Sequence, residues 1–266
     1  MPSDLAVLDR APGERVRTQT VKAAQTLRDL ILTGNLVPGD RLSETDMVEL
    51  LGVSRTPARM AMMRLHEEGL LEEIASSGGF RVRGFSADEV CAALEIRGIL
   101  EALAARLAAE RHVNARDLDA LRTCVAEMDG VVRQGAVSPD RIAEYAAQNE
   151  RFHKLVVPLA RSPNLTRQID RASALPFAAP SSLLLAQSKV IDLSTILVVA
   201  QDQHRCIVEA IEERNGTRAE ALTREHSRLA MRHLDRILGS GEALSLVPGH
   251  ALITGTGTRP GSSATS

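Results

Sequence analysis

The sequence predicts a mainly α fold in two parts: three short helices with a hairpin, followed by an all-helical bundle. Three observations predict it. The chain has 266 residues, 44% hydrophobic and 25% charged, which suits one large or two modest domains. Aromatic residues are scarce, with four Phe, one Tyr and no Trp. β-rich folds draw on aromatic and β-branched residues, and stacking binders of single strands need aromatic platforms, so both become poor fits. Ala, Leu, Arg and Glu dominate instead, and these favour helices.

The elements follow in order. Residues 1–15 lack periodicity and hold Pro2, Pro12 and Gly13, so they read as a flexible arm. Val21–Thr33 places Val21, Ala24, Leu27, Leu30 and Ile31 on one helical face. Gly34 ends it, and Pro38-Gly39-Asp40 is a turn. Ser43 caps a short helix over 44–51, and Ser54 caps a third that runs to about Glu68, with Pro57 in its first turn. Leu70–Ile74 and Phe80–Phe85 flank a Gly-rich turn and read as a hairpin. From Ser86 the pattern is helical to about Leu238. Expected helices cover 87–111, 117–134, 139–160, 164–175, 196–214 and 218–238, with 180–193 ambiguous and Asn215-Gly216 as a stop. From Gly239 on, Gly, Ser, Thr and Pro accumulate, and a disordered tail is expected. The domains are therefore expected at 16–85 and 86–238, between the arm (1–15) and the tail (239–266).

No apolar run approaches the ~18–20 residues that span a bilayer, and no N-terminal segment has a signal-peptide pattern. Cys91, Cys124 and Cys206 form no CxxC and no even framework, which fits a reducing cytoplasm. The net charge of −2 argues mildly against a nucleic-acid binder, which is usually basic.

The third helix meets that objection locally. Arg55, Arg59 and Arg64 lie in Ser54–Leu65 with no acidic residue, and Arg55 and Arg59 share a face near the helix start. Arginine can bond bidentately to guanine in the major groove, and Ser54 and Thr56 suit phosphate oxygens. Two arginines alone are equally compatible with a solvated helix; the order helix, helix, turn, arginine helix, glycine hairpin is far more specific. Gly34–Glu44, Leu51–Arg59 and Leu65–Leu70 together resemble the winged helix-turn-helix domain of the GntR family of bacterial transcription regulators. The resemblance covers about 65 residues. It implies binding of double-stranded operator DNA, with Arg55, Thr56 and Arg59 in the major groove and the wing tip near Gly79 in the minor groove. Thr45 stands where family members often carry Arg or Gln, which implies a shifted operator preference. Met60, Met62 and Met63 are expected to pack. Residues 1–85 hold 11 Lys and Arg against 12 Asp and Glu, so tight binding would need two copies acting together.

In the bundle, His153 follows Asn149 by one turn, and His204 and His226 lie on the last two helices. Converging neutral imidazoles suit Zn²⁺ or another divalent transition metal. Spacing alone also allows core or solvated histidines. Glu95-Ile96-Arg97 with Leu100-Glu101, Asn149–His153, Ser162–Asn164, Gln203-His204 and Glu225-His226 resemble the FCD ligand-binding domain of the FadR-type branch, over roughly 87–238. That resemblance implies a homodimer in which an Asp and three His hold a metal near a small carboxylate effector. His153, His204 and His226 match the histidines, and Asn149 stands where Asp is commonest. The metal implied is zinc, with nickel or manganese as alternatives. An amide oxygen is a weaker ligand than carboxylate, and the site becomes more positive by one charge. Arg97 matches the family's buried arginine and would offer a fork to a carboxylate, or else pair with Glu101. Tyr145 would line the pocket or sit in the core.

The expected function is a cytoplasmic regulator, a repressor rather than an enzyme, with effector and DNA linked through a hinge near residues 84–87. Two rivals are a purely structural metal site and a metal-dependent enzyme. Against the enzyme, no general base is evident, because Glu150 and Glu225 point about 100° away from their histidine neighbours.

Overall fold

The computed structural model describes residues 12–75, 78–111, 113–133 and 138–255. It divides into two compact units, 1–84 and 85–266.

The first unit holds α1 (Pro12–Leu32), β1 (Arg41–Leu42), α2 (Glu44–Leu51), α3 (Arg55–Glu67), β2 (Leu71–Ile74) and β3 (Gly79–Val82). Helix α1 begins inside the expected arm, because its polar first turns carry no apolar stripe to announce them. Its buried face is Thr20, Ala23, Ala24, Leu27 and Ile31, while Val21 is exposed. Ser43 and Asp46 form a capping box at the start of α2, and Gly52 closes it in the left-handed region at φ 62°. The hairpin is part of an antiparallel three-stranded sheet in the order β1-β3-β2. Strand β1, two residues long, has too little pattern to be read from sequence. Leu27, Ile31, Met47, Met62, Leu65, Leu70 and Val82 form the core. Met60 and Met63 are about half exposed, contrary to expectation. They sit on the solvent face of α3 that Arg59 and Arg64 share.

The second unit contains α4 (Ala87–Glu110), α5 (Ala115–Arg133), α6 (Pro139–Leu159), α7 (Pro163–Ala172), α8 (Leu184–Gln187), α9 (Leu193–Glu212), α10 (Gly216–Met231), α11 (Leu234–Gly239) and α12 (Gly241–Leu244), with short 3₁₀ turns at Pro176–Ala178 and His250–Leu252. Helix α4 packs most extensively on α10. Gly98 permits the close approach, since a Cβ there would lie 2.6 Å from Ser227 Cβ. Helices α5, α6 and α9 close round a core of Leu121, Met128, Ile142, Tyr145, Phe152, Ile207 and Ile211.

Three expectations are corrected here. Asn215 starts α10 rather than stopping α9, its side chain accepting from Arg218 N at 3.1 Å; the left-handed residue is Arg214. The final long helix breaks at Arg232-His233, where His233 has φ 77°. The disordered tail does not begin at Gly239. Ala243, Val247, Leu252 and Ile253 are buried, and Ile253 forms a parallel bridge with Phe85. Phe85 N donates to Leu252 O and Thr254 N donates to Phe85 O, both at 2.8 Å. A few apolar anchors outweigh a Gly- and Ser-rich composition. Residues 256–266 of the expected tail, and 1–11 of the expected arm, lie outside the described residues. The expected hinge is also narrowed, because Phe85 is tied and Ser86 forms a capping box with Glu89.

Candidate functional site

The first unit presents the start of α3. Ser54 takes the N-cap position in extended backbone, yet its side chain makes no capping hydrogen bond. Pro57, Ala58, Ala61, Met62 and Leu65 bury one face, which leaves Ser54, Arg55, Thr56 and Arg59 exposed on the other. The exposed face begins at a helix N-terminus, whose N–H groups and dipole favour phosphate. Arg59 Nη1 lies 3.5 Å from Glu44 Oε1 of α2. Gly79 opens β3, and Gly78 before it has φ 67°; residues 76 and 77 of the wing tip lie outside the described residues. Arg81 is held by its cross-strand partner Glu72 at 2.7 Å, which ties one of the hairpin arginines.

The bundle brings together three histidines from three helices: His153 from α6, His204 from α9 and His226 from α10. One nitrogen from each lies within 4.8 Å of the others, and all three residues are buried. Burial opposes their protonation. It holds His153 and His226 down to about 3, helped by the nearby charge of Arg97 for His153 and by His153 and Arg97 for His226. Burial, then His226 and His153, keeps His204 well below the usual range. All three are therefore neutral ligands at neutral pH. His204 Nε2 is buried with no hydrogen-bond partner among the described residues. An orphaned imidazole nitrogen in a cluster of three neutral imidazoles fits a divalent transition metal.

A cavity of about 50 Å³ adjoins the cluster. Arg97, Tyr145, Asn149 and His226 line it, with Leu94, Leu183, Leu184, Ile196 and Leu229 as aliphatic walls. Tyr145 both lines this cavity and belongs to the core. Its hydroxyl and Arg97 Nε are buried donors without a partner among the described residues. Burial also pushes the Tyr145 phenol further up, so it stays protonated. Asn149 Nδ2 donates to Ser181 Oγ at 2.8 Å, and that hydroxyl donates to Ala146 O at 3.3 Å. Ser181 holds φ 67°, an uncommon conformation for a residue with a side chain.

Sequence reasoning missed four residues. Glu101 is 3% exposed, lies 3.4 Å from His153 Nδ1 and 3.6 Å from Arg97 Nε. A carboxylate does therefore stand beside the cluster. Desolvation pushes its pKa up, against Arg97 and His226. Arg97 lines the cavity and also lies beside Glu101. Gln201 Oε1 lies 3.3 Å from His204 Nδ1, and Gln203 Oε1 lies 3.2 Å from His226 Nδ1. Ser181 is the fourth. The i, i+3 spacing of Gln201 and His204 was the one signal available in the sequence. Glu150 and Glu225 face solvent and pair with Lys154 and with Arg228, as their helical positions imply.

The FCD domain model matches residues 92–229, and the model for bacterial regulatory proteins of the gntR family matches residues 19–82. A probable D-xylose utilization operon transcriptional repressor of Paenarthrobacter nicotinovorans is 33% identical over 214 residues, 79% of this chain and 87% of that protein. The HTH-type transcriptional regulator YdhC of Bacillus subtilis is 27% identical over 216 residues, 81% of this chain and 91% of that protein. Among solved structures, E. coli McbR/YncC is similar in fold, with a TM-score of 0.55, 21% identity, and coverage of 82% of this chain and 97% of that one.

Proposed function

This chain belongs to the GntR family of bacterial regulatory proteins and carries an FCD domain, and from that premise we propose that it is a homodimeric repressor released from operator DNA by a small carboxylate bound beside a divalent metal. The family consists of DNA-binding transcriptional regulators, not enzymes. No helix among the described residues is long and apolar enough to cross a membrane. The sense of regulation follows the relative described as a probable repressor.

One observation carries the effector reading: Arg97 and Tyr145 line one small cavity next to the three histidines, and Arg97 Nε, 3.6 Å from Glu101, and Tyr145 OH are buried donors that make no hydrogen bond among the described residues. Each such donor costs ~1–3 kcal/mol while unsatisfied. A carboxylate satisfies a planar guanidinium and a phenol together. About 50 Å³ is space for roughly three to five waters, which suits an acid of few atoms. When bound by His153, His204, His226 and the Asn149 oxygen, zinc, nickel or manganese supplies a Lewis-acidic position for the acid's second oxygen. Beyond Arg97, Tyr145, Asn149 and His226, the ligand meets mostly aliphatic side chains with Ser181, Ser182 and Gln187 among them.

Contacts of two cavity-lining residues, Arg97 and Ser182, lead to the start of the bundle unit. Arg97 Nη1 donates to Ala178 O, and Ser182 Oγ donates to Phe177 O. The Phe177 ring packs edge-on against Phe85, centroids 5.0 Å apart. A ligand that draws Arg97 off Ala178 therefore loosens the loop that holds Phe85, the first residue after the DNA-binding unit. The exposed stripe Ile96, Ile99 and Leu103 on α4 supports a second copy as its partner.

The test is fluorescence anisotropy on DNA from the protein's own upstream region, with metal-loaded protein and a panel of small mono- and dicarboxylates. An active acid should weaken DNA binding of the wild type and lose that effect in Arg97→Met, which should still bind DNA. If the protein binds zinc tightly and no acid shifts DNA binding, the ion is structural.

A further inference from the structure

We propose that Gln201 and Asp129 are positioning residues that preset His204 as a metal ligand by fixing which ring nitrogen carries its hydrogen. The metal itself rests on the reading above; the orientation of the ring does not. Gln201 is 0% exposed, so its amide must find partners in the protein. Its Nε2 donates to Val125 O at 2.8 Å and to Asp129 Oδ1 at 2.7 Å. Both partners are acceptors only, so both amide hydrogens are committed and the amide has one possible orientation. That orientation leaves Oε1 facing His204 Nδ1 at 3.3 Å. Oxygen there can only accept, so Nδ1 carries the hydrogen. Nε2 is then left with its lone pair bare, and it is the buried nitrogen without a hydrogen-bond partner.

The chain of constraint runs to the surface. Arg205 on α9 grips Asp129 on α5, with Nη2 at 2.7 Å and Nε at 3.1 Å from Oδ1. The carboxylate is thus pinned from outside by Arg205 and from inside by Gln201. His226 repeats the motif more simply, since its Nδ1 lies 3.2 Å from Gln203 Oε1. In the Gln201 case the acceptor is itself locked, and this singles out His204 as the preset ligand of the cluster. Outer partners of metal-bound histidines raise their basicity and fix their orientation.

The test uses the full chain, first without metal. Two-bond ¹H–¹⁵N correlation spectra at neutral pH should show His204 protonated on Nδ1, assigned by its disappearance in His204→Gln. Hydrogen on Nε2 would overturn the proposal whether or not the protein binds metal. In Gln201→Met, which keeps size and removes the amide, the ring should become a mixture of tautomers. Zinc affinity by chelator competition should fall ~10–100-fold. A merely structural role for Gln201 would lower thermal stability and leave the tautomer unchanged, which would also sink the idea. Where Gln201→Met does not fold, Asp129→Ala acts from the partly exposed end of the chain and should show the same mixing. A wild type that binds no zinc defeats the metal reading alone, because the tautomer measurement still decides this one.

Discussion

The two working surfaces of the chain are built on opposite terms. The start of α3, proposed to read DNA, keeps its chemistry in solvent: Arg59 is 66% exposed and its partner Glu44 37%. The proposed sensing site keeps its chemistry buried: Arg97, Glu101 and His204 are each 4% exposed or less. Exposed pairs contribute ~0–1 kcal/mol to stability, whereas a buried polar group that loses its partner costs ~1–3 kcal/mol. The contrast teaches that the reading surface can change its target at little cost to the fold. A change in the buried site that leaves a polar group without its partner costs the bundle ~1–3 kcal/mol as well.

The largest expected effect lies on the buried side. His204→Ala with His226→Ala removes two of three converging ligands, so elemental analysis should find the bound metal gone; undiminished metal would refute the ligand assignment. The same variant should alter the pH dependence of the metal-free protein. Folded His153 and His226 titrate near 3, against an ordinary value near 6.5. Between those values the unfolded chain binds more protons, so stability is full above about 6.5 and falls as pH drops toward about 3. Melting curves across that window should flatten in the double variant. An unchanged slope would place the acid sensitivity elsewhere.

The next effect tests the exposed side. Arg55→Ala should weaken specific operator binding by roughly 5- to 150-fold, the worth of one bidentate base contact, with thermal stability unchanged. Equal footprints would end the claim for that residue. A loss of binding accompanied by a large drop in melting temperature would break the comparison itself, since it would make a reading residue also a structural one.

The same contrast explains what the sequence disclosed. The helices of the first unit were legible because their determinants are local: caps and turns suffice, and Ser43, Gly52, Ser54 and Pro57 stand where spacing predicts. The bundle's helices were legible from periodicity, but the convergence of three of them was not, and residue types alone left the histidines ambiguous. Glu101 was hidden because a carboxylate four residues after an arginine usually means a surface pair; here α4 turns both inward against α10. Gln201 was hidden because its partners, Val125 and Asp129, lie on another helix. The segment after Gly239 was misjudged because composition averages away single anchors such as Leu252, whose carbonyl accepts from Phe85 N.

A smaller change sharpens the buried side. Asn149→Asp restores a charged oxygen where the family most often has one, and metal affinity should rise on the order of tenfold, the scale of one altered partner in such sites. Ser181 would have to turn its hydroxyl from Ala146 O toward the new carboxylate. Looser binding by chelator competition would show that Asn149 does not face the ion.

The smallest effect concerns Glu44. In the free protein Arg59 rests 3.5 Å from it, and reaching a base edge or phosphate means leaving that contact. Glu44→Gln removes the competing charge and one acidic group beside the DNA-facing helix. Because the pair is exposed, it is worth ~0–1 kcal/mol, so operator affinity should rise by no more than about fivefold. The gain should shrink as salt is raised, since screening weakens the pair and the phosphate contact together. Anisotropy titrations at two salt concentrations measure both. A gain indifferent to salt would mean Glu44 acts through the shape of α2 rather than its charge. A loss of affinity would mean Glu44 holds Arg59 in the geometry that reads DNA, which would make this surface, like the buried one, preset by its neighbours.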